Sequence, residues 1–336
     1  MSDRVLVSAA LATLVLAVSL GVEPATAQAP AAKPFTPPPS SYNPPRTPWG
    51  DPDLMGVWDY QSLIRMERPD DLAGKARFAN EAEYEAWAGT NAPNRDTEKG
   101  VGAYNEFWNE RNFVRNLNTS LIIDPPNGRY PPLTPAAERR RRDIVAKASE
   151  LASWEDYHAL ARCIATQTPN APQAYNSGTY IMQSPGWVAI IRERLDTRLI
   201  PLDGRPHIGP NIRHWNGDPV GHWEGNTLVV ETTNFTDKQR LGGMSGASVP
   251  EGIPFGNFRL IEHFVPVSPS RIEYYATIID QATWTRPWTF NLPWQRDDDY
   301  QIFEYACHEG NFALANSLRG ERVQEAEAAK ARDAGK

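Results

Sequence analysis

Residues 258–279, FRLIEHFVPVSPSRIEYYATII, indicate two antiparallel strands joined by a tight turn at Ser268-Pro269-Ser270. In the second strand, alternate positions are apolar or small, whereas the positions between them include a charged residue. The apolar or small set comprises Ile272, Tyr274, Ala276 and Ile278. Because neighbouring side chains of a strand point to opposite faces, this period of two predicts a sheet with one buried face.

The same signals recur along the second half of the chain. HWEGNTLVVETTNF (222–235) predicts a hairpin that turns at Glu224-Gly225-Asn226, and its alternate side chains Leu228, Val230 and Thr232 share a face. Strands are also predicted in 178–194, 197–204 and, last in the series, QIFEYACHE (301–309). Roughly eight to ten sequential strands predict a mainly β chain that curls into an antiparallel meander barrel.

The beginning of the chain predicts export. Arg4 precedes an apolar run from Val5 to Val22, and Ala25-Thr26-Ala27 follows. This pattern is typical of a signal peptide over residues 1–27, which favours a periplasmic or secreted protein. The alternative is a membrane anchor, since the run approaches the length that spans a bilayer. After cleavage, no later run is long enough to span one.

The remaining chain predicts a single domain with flexible ends. Residues 28–48 are a proline-rich linker, 49–318 form the barrel domain, and 319–336 are a charged tail. Thr134 and Pro135 begin a predicted helix over 134–163, with Thr134 as its cap. A shorter helix is predicted within EAEYEAWAG (81–89). One or two helices are therefore expected to cover the barrel.

Composition excludes several classes of protein. The net charge of −7 and the absence of a basic stripe argue against nucleic-acid binding. The sequence has no nucleophile-elbow, P-loop, dinucleotide-binding or haem-attachment motif. We therefore predict no cofactor, and the sequence indicates no oligomeric state.

An ordered series of motifs resembles a known family. The motifs are WGDPDLMGVWDY (49–60), SLIIDPPNGR (120–129), IPLDGRPH (200–207), HWEGNTLVVETTNFTDK (222–238), TWTRPWT (283–289) and YACHEGN (305–311). They are similar to those of exported proteins of Gram-negative soil and aquatic bacteria, most of which have no assigned activity. The resemblance implies a lipocalin-like barrel with added N-terminal segments, and Gly56–Trp58 is similar to the Gly-x-Trp of a first lipocalin strand. It implies no reaction.

The chain has two cysteines, Cys163 and Cys307. In an exported protein such a pair predicts a disulfide. The alternative is a Cys307–His308 dyad, but strand alternation would place these neighbours on opposite faces.

The richest group of polar side chains lies between residues 200 and 225. We predict acid–base chemistry by His207 and Asp203 from this segment, together with His308 and Glu309 from the last strand. The alternative is that the polar residues only form loop hydrogen bonds. His207, His214 and His222 suggest a metal, but their spacing matches no compact ligand motif, so no metal is predicted. In the family that the chain resembles, other polar residues tend to occupy positions 214 and 222, so the resemblance implies no shared histidine metal site.

A second predicted group would bind the ligand. Its members are Arg205, Arg213, Trp215, Trp284, Arg286, Trp288 and Glu304. Tryptophan and arginine stack on rings and pair with carboxylates, although a tryptophan-rich barrel core explains the tryptophans equally well.

These observations favour an exported, cofactor-independent enzyme, which would hydrolyse, eliminate or isomerise a small molecule in a barrel cavity. Its arginines would orient an anionic group. Two alternatives stay open. The first is a non-catalytic periplasmic binding protein for a hydrophobic, aromatic or saccharide ligand, and the second is a structural envelope protein.

Overall fold

The computed structural model describes residues 35–91, 113–146, 152–157, 159–164, 168–169, 176–238, 240–241, 253–254 and 258–334. The strands are β1 (Gly56–Asp59), β2 (Ile122–Asp124), β3 (Thr179–Ser184), β4 (Trp187–Arg192), β5 (Thr197–Pro201), β6 (Asp218–Glu224), β7 (Thr227–Thr233), β8 (Arg240–Leu241), β9 (Ile253–Pro254), β10 (Arg259–Ser268), β11 (Arg271–Ile279) and β12 (Trp288–Arg296). The α-helices are α1 (Glu81–Asn91), α2 (Pro135–Ala146) and α3 (Ala313–Ala334). The predicted signal peptide lies outside the described residues.

One antiparallel sheet forms a nearly closed barrel. Its strand order is β5-β4-β3-β1-β12-β11-β10-β7-β6, and β2 pairs with β12 on the same edge as β1. The predicted hairpins are present: β6–β7 turns at Gly225 and Asn226, and β10–β11 turns at Pro269 and Ser270. Most strands therefore lie beside their neighbours in sequence, and the predicted lipocalin-like meander barrel is confirmed.

The barrel closes where β5 approaches β6, the two ends of the hydrogen-bonded order. A Cβ atom at Gly221 of β6 would lie 2.8 Å from Ile200 Cγ2 and 2.9 Å from Leu202 Cδ2. Real Cβ atoms do not approach other atoms so closely. A glycine at this position therefore allows the two edges to meet.

Large side chains fill the described part of the barrel interior. They include Trp58, Phe264, Tyr274, Trp288, Phe290 and Trp294, each at most 2% exposed. The inward set predicted for β11, from Ile272 to Ile278, is fully buried, but Tyr275 and Thr277 on the other face are also buried, at 9% and 1% exposed, so both faces of this strand are covered. The cavity that we expected inside the barrel is therefore filled at the level of these side chains.

A charged pair lies inside this apolar core. Arg198 of β5 donates two hydrogen bonds to Glu262 of β10, at 2.9 and 2.5 Å. The Tyr274 hydroxyl donates to Glu262 at 2.7 Å, and Arg198 also donates to the Thr232 hydroxyl at 3.0 Å. Buried charges are tolerated when they are paired and hydrogen-bonded, and this pair joins β5 to the opposite side of the closure.

The barrel's outer face is covered in part by residues 35–46, here called the N-terminal strap. The Phe35 ring lies 5.3 Å from that of Tyr275, and the Ser40 hydroxyl donates to the Pro266 carbonyl at 2.7 Å. We expected order to begin near residue 49. The strap takes a defined position before residue 49 because it packs against the barrel, although it has no core of its own.

The helices differ from prediction in their limits. In α2 the Thr134 hydroxyl accepts from Ala137 N at 3.1 Å, as expected of a cap, but the described helix ends at Ala146. Trp154–Asp156 forms a separate 3-10 turn because Ser153 and Asp156 cap it reciprocally. Helix α3 begins at Ala313, ahead of the predicted tail, and none of its residues is buried.

The predicted disulfide is present between Cys163 and Cys307, but the strand predicted around Cys307 is not. Residues 301–306 are irregular, and hydrogen bonds from Glu309 N to Ala306 O and from Asn311 N to His308 O form consecutive turns. The prediction of a strand was wrong because local turn bonds and the disulfide replace sheet pairing here. Strand alternation therefore cannot separate Cys307 from His308.

Within the described residues, no helix is both long enough and apolar enough to cross a membrane.

Candidate acid–base site

The connection from β5 to β6, residues 202–217, folds over the outer face of the barrel. Its anchor is Asn234, which has a left-handed backbone with φ 57°. The Asn234 side-chain amide donates to the carbonyls of Ile208, Gly209 and Ile212 at 3.2, 2.9 and 2.9 Å. Asparagine tolerates this backbone conformation better than most residues, and its side chain holds residues 208–212 of the connection.

His207 projects from this connection between two carboxylates. Its Nδ1 lies 2.9 Å from Asp218 Oδ2, the same oxygen that accepts from Ile208 N at 3.0 Å. An ionised carboxylate only accepts hydrogen bonds, so in the neutral form of the ring the proton is assigned to Nδ1 and Nε2 is left as an acceptor. His207 Nε2 lies 3.7 Å from Glu231 Oε1, and the side chain is 25% exposed.

Two arginine–carboxylate pairs flank this histidine. Arg259 Nε and Nη2 donate to the two oxygens of Glu231 at 2.6 Å each. Arg205 binds Asp203 in the same two-pronged manner, and its guanidinium lies 4.9 Å from the Trp187 ring. We call His207, Asp218, Glu231 and Arg259, with the adjoining Asp203–Arg205 pair, the His207 site.

The hydrogen bonds from Arg205 lower the pKa of Asp203 to about 2. Asp203 is therefore ionised at neutral pH and has no proton to donate as an acid. The same pairing raises the pKa of Arg205, and the Glu231 hydrogen bonds raise that of Arg259. Both arginines hold their carboxylates in fixed positions.

The arrangement is suited to proton transfer at His207 Nε2. A carboxylate at Nδ1 orients the imidazole and stabilises its protonated form, as in histidine-based acid–base catalysis. No group of three or more potential ligands suited to a metal ion occurs among the residues that the structure describes. The alternative of a metal bound by His207, His214 and His222 gains no support from these residues.

The other predicted acid–base residues lie in a different part of the fold. His308 and Glu309 are exposed in the turns beside Cys307, and Glu304 is exposed in the irregular segment before them. No hydrogen bond or ion pair described by the structure joins His308 to the His207 site.

The two other histidines predicted between residues 200 and 225, His214 and His222, are exposed. His222 pairs with Glu224 at 3.1 Å, and its side chain is 58% exposed. His214 uses its backbone, bonding through its amide to the Asn234 carbonyl at 2.9 Å.

The predicted ligand-binding residues are dispersed. Trp284 and Trp288 are 2% and 1% exposed and pack with Tyr130, so they belong to the core. Arg286 pairs with Asp124 at 2.7 Å. These contacts match the alternative in which the tryptophans fill the barrel.

Arg213 and Trp215 end the connection near the disulfide-linked segment. Arg213 donates to the Phe235 carbonyl at 3.2 Å, and the Trp215 ring lies 5.6 Å from the guanidinium of Arg162.

Sequence reasoning did not identify Glu231 and Arg259 as site residues. The period of two in β7 places Glu231 opposite the buried Val230 and Thr232, and hence on the outer face. This alternation predicts that Glu231 lies on the outer face. It does not predict that the connection of residues 202–217, which follows β5, approaches Glu231 across the barrel closure.

Searches of protein-family models, curated proteins and solved structures found no match to this chain.

Proposed function

We propose that this protein is an exported enzyme that transforms a small molecule by acid–base chemistry at the His207 site. The observation that carries the proposal is the 2.9 Å contact between His207 Nδ1 and Asp218 Oδ2, with the other ring nitrogen directed towards Glu231. The ring is partly exposed, so a substrate can reach Nε2. Neither Arg205 nor His308 needs to act on the reacting atoms.

In this proposal, His207 Nε2 accepts a proton from the substrate or from a water molecule that attacks it. Asp218 stabilises the imidazolium, and the proton then passes to the leaving group or to a second carbon. General acid–base catalysis of this type contributes about 10²–10⁴-fold to rate. Hydrolysis, elimination and isomerisation all fit this scheme.

Export is part of the proposal. Disulfides persist in oxidising compartments such as the periplasm, and the Cys163–Cys307 bond fits that environment. The signal peptide proposed for residues 1–27 and the resemblance to exported Gram-negative proteins support the same compartment.

The experiment is metabolite profiling with purified protein. Wild type, His207→Gln and Asp218→Asn would each be incubated with a metabolite extract from the periplasm, and mass spectrometry would identify compounds consumed. We expect wild type to consume at least one compound, His207→Gln to be at least about 10²-fold slower, and Asp218→Asn to be slowed as well.

His222→Gln is the matched control. His222 also contacts a carboxylate, that of Glu224, but its side chain is exposed and lies outside the His207 site. It should retain the wild-type rate. If wild type consumes nothing, or if folded His207→Gln is as active as wild type, the proposal is wrong.

A structural envelope protein is the second candidate. The specific observation in its favour is the filled interior around Trp294 and Phe264, which leaves no room for a ligand at that level. Loss of envelope integrity on gene deletion, with full rescue by His207→Gln, would favour this role over catalysis. The binding-protein alternative would require ligand binding without turnover in the same extract.

A further inference from the structure

The charges and hydrogen-bonding groups of the His207 site define the class of molecule that it can accept. We infer that the substrate presents a neutral or cationic hydrogen-bond donor, such as a hydroxyl, amide or amine, and not a carboxylate or other anion. This inference rests on the proposed function and goes further by giving the chemistry of the reacting group.

Two acceptors face each other where the substrate would bind. With its proton on Nδ1, the neutral His207 ring offers a lone pair at Nε2, and Glu231 Oε1 offers another 3.7 Å away. That separation is too long for a direct hydrogen bond between them. An O–H or N–H group can be shared between both atoms, whereas a carboxylate would add a third acceptor.

The net charge of the site also disfavours an anion. Asp203, Asp218 and Glu231 contribute −3, and Arg205 and Arg259 contribute +2, which leaves −1 for the form in which the imidazole is neutral and can act as a base. Each arginine already donates to both oxygens of its carboxylate partner. The charge of each guanidinium is therefore already balanced by a carboxylate before an anion approaches.

The next cation along the connection is already engaged. Arg213 Nη1 donates to the Phe235 carbonyl at 3.2 Å. The inference thus differs from the expectation drawn from the sequence, in which arginines orient an anionic group.

The proposed proton transfer requires the same class of group. A neutral imidazole acting as a base needs an acidic X–H bond within hydrogen-bonding distance of Nε2. When the proton moves to Nε2, its bonding pair stays on X, and the imidazolium formed between Asp218 and Glu231 is stabilised by both carboxylates. The negative charge of Asp218 and Glu231, which disfavours an anionic ligand, thus stabilises the protonated form of His207.

The test uses three probes of one shape: benzamidine (cationic), benzamide (neutral) and benzoate (anionic). Binding would be measured at neutral pH from the ¹⁵N chemical shifts of His207 in protein labelled at histidine. We expect benzamidine and benzamide to bind, and benzoate to bind about tenfold more weakly than benzamidine, because attraction to a partly exposed charge is exchanged for repulsion.

Glu231→Gln removes one negative charge and should bring the benzamidine and benzoate affinities within about twofold of each other. Glu224→Gln is the matched control, since it makes the same change beside the exposed His222 and should leave the preference intact.

Equal or tighter binding of benzoate by wild type would overturn the inference, as would the absence of any shift at His207 with all three probes. Preference for benzoate together with loss of turnover in His207→Gln would leave the proposed function standing. Preference for benzamidine with unchanged turnover in His207→Gln would support the inference about binding and reject the proposed catalysis.

Discussion

Arg198 and Glu262 show how a single buried residue can govern the stability of this barrel. Their side chains are 3% and 0% exposed, so each charge depends on the other for compensation. We expect Arg198→Met to lower the free energy of unfolding by about 3–5 kcal/mol, because it leaves the Glu262 carboxylate buried without its cation.

The double variant Arg198→Met/Glu262→Gln should be more stable than Arg198→Met alone, since no unpaired charge remains. Urea denaturation of the three proteins measures both effects. A double variant that is less stable than the single one would contradict this explanation.

At the residue scale, the sequence predicted His207 but not its partners. IPLDGRPH places histidine in a polar connection, and Asp218 stands in the same polar segment. Glu231 and Arg259 are distant in sequence and are brought to the histidine only by the pairing of β6, β7 and β10. A local pattern contains no information about which strands become neighbours.

At the element scale, the N-terminal strap crosses the outer face beside His263. Tyr275, which contacts Phe35, is directly opposite His263 in the sheet, and the strap reaches the β6–β7 turn through Asn226. Burial lowers the pKa of His263 below its usual 6.5, with Glu224 opposing and His222 adding to the shift. The ring is 7% exposed.

This burial predicts that acid loosens the strap. Because the covered histidine has the lower pKa, the uncovered state binds more protons as the pH falls below 6.5. The stabilisation of the covered state is therefore complete above pH 6.5 and is lost progressively below it. Glu224 offsets part of this effect because its negative charge favours the protonated ring of His263, whereas His222 adds to the effect.

The strap's mobility can be followed by the fluorescence anisotropy of a dye on Ser41→Cys, since both native cysteines form the disulfide. We expect the anisotropy to fall between pH 7.5 and 5.0, and His263→Leu to abolish the change. His222→Gln, as a control, should retain most of it. A His263→Leu protein with the wild-type pH response would refute this role of His263.

At this scale the hairpins were predictable and the ends of the domain were not. Alternation in β7 and β11 depends only on local sequence and one buried face, so Val230 and Tyr274 were placed correctly. Whether the strap or residues 301–309 contact the sheet depends on which edges and faces of the sheet the other elements leave uncovered. A short sequence pattern contains no information about this.

At the scale of the whole molecule, the disulfide joins segments 144 residues apart. Opening it frees a long loop in the unfolded chain, with a nominal effect of about 4–5 kcal/mol and less in practice. We expect the Cys163→Ser/Cys307→Ser protein to unfold at lower denaturant, by roughly 2–4 kcal/mol.

Denaturation of oxidised wild type, reduced wild type and the double serine variant would check this expectation. The reduced and serine proteins should behave alike. Equal stability of all three would show that the bond does not constrain the unfolded chain.

The closure of the barrel predicts a further effect on stability. Gly221→Ala places a methyl group against Ile200 and Leu202 and should cost about 1–3 kcal/mol of unfolding free energy through overpacking. Gly209→Ala is the matched control, because nothing lies within 4 Å of the added atom there. Thermal unfolding of both proteins would test the difference, and equal melting temperatures would show that β5 and β6 can separate without penalty.

The meeting of β5 and β6 also has a mechanical consequence. The barrel has one gap in its hydrogen bonding, between β5 and β6, and the connection that contains His207 crosses this gap. The connection begins after β5, whereas Asp218 and Glu231 belong to β6 and β7 on the other side of the gap. Any widening of the gap between β5 and β6 would therefore change the distances from His207 to Asp218 and Glu231, and with them the proton transfer that we propose.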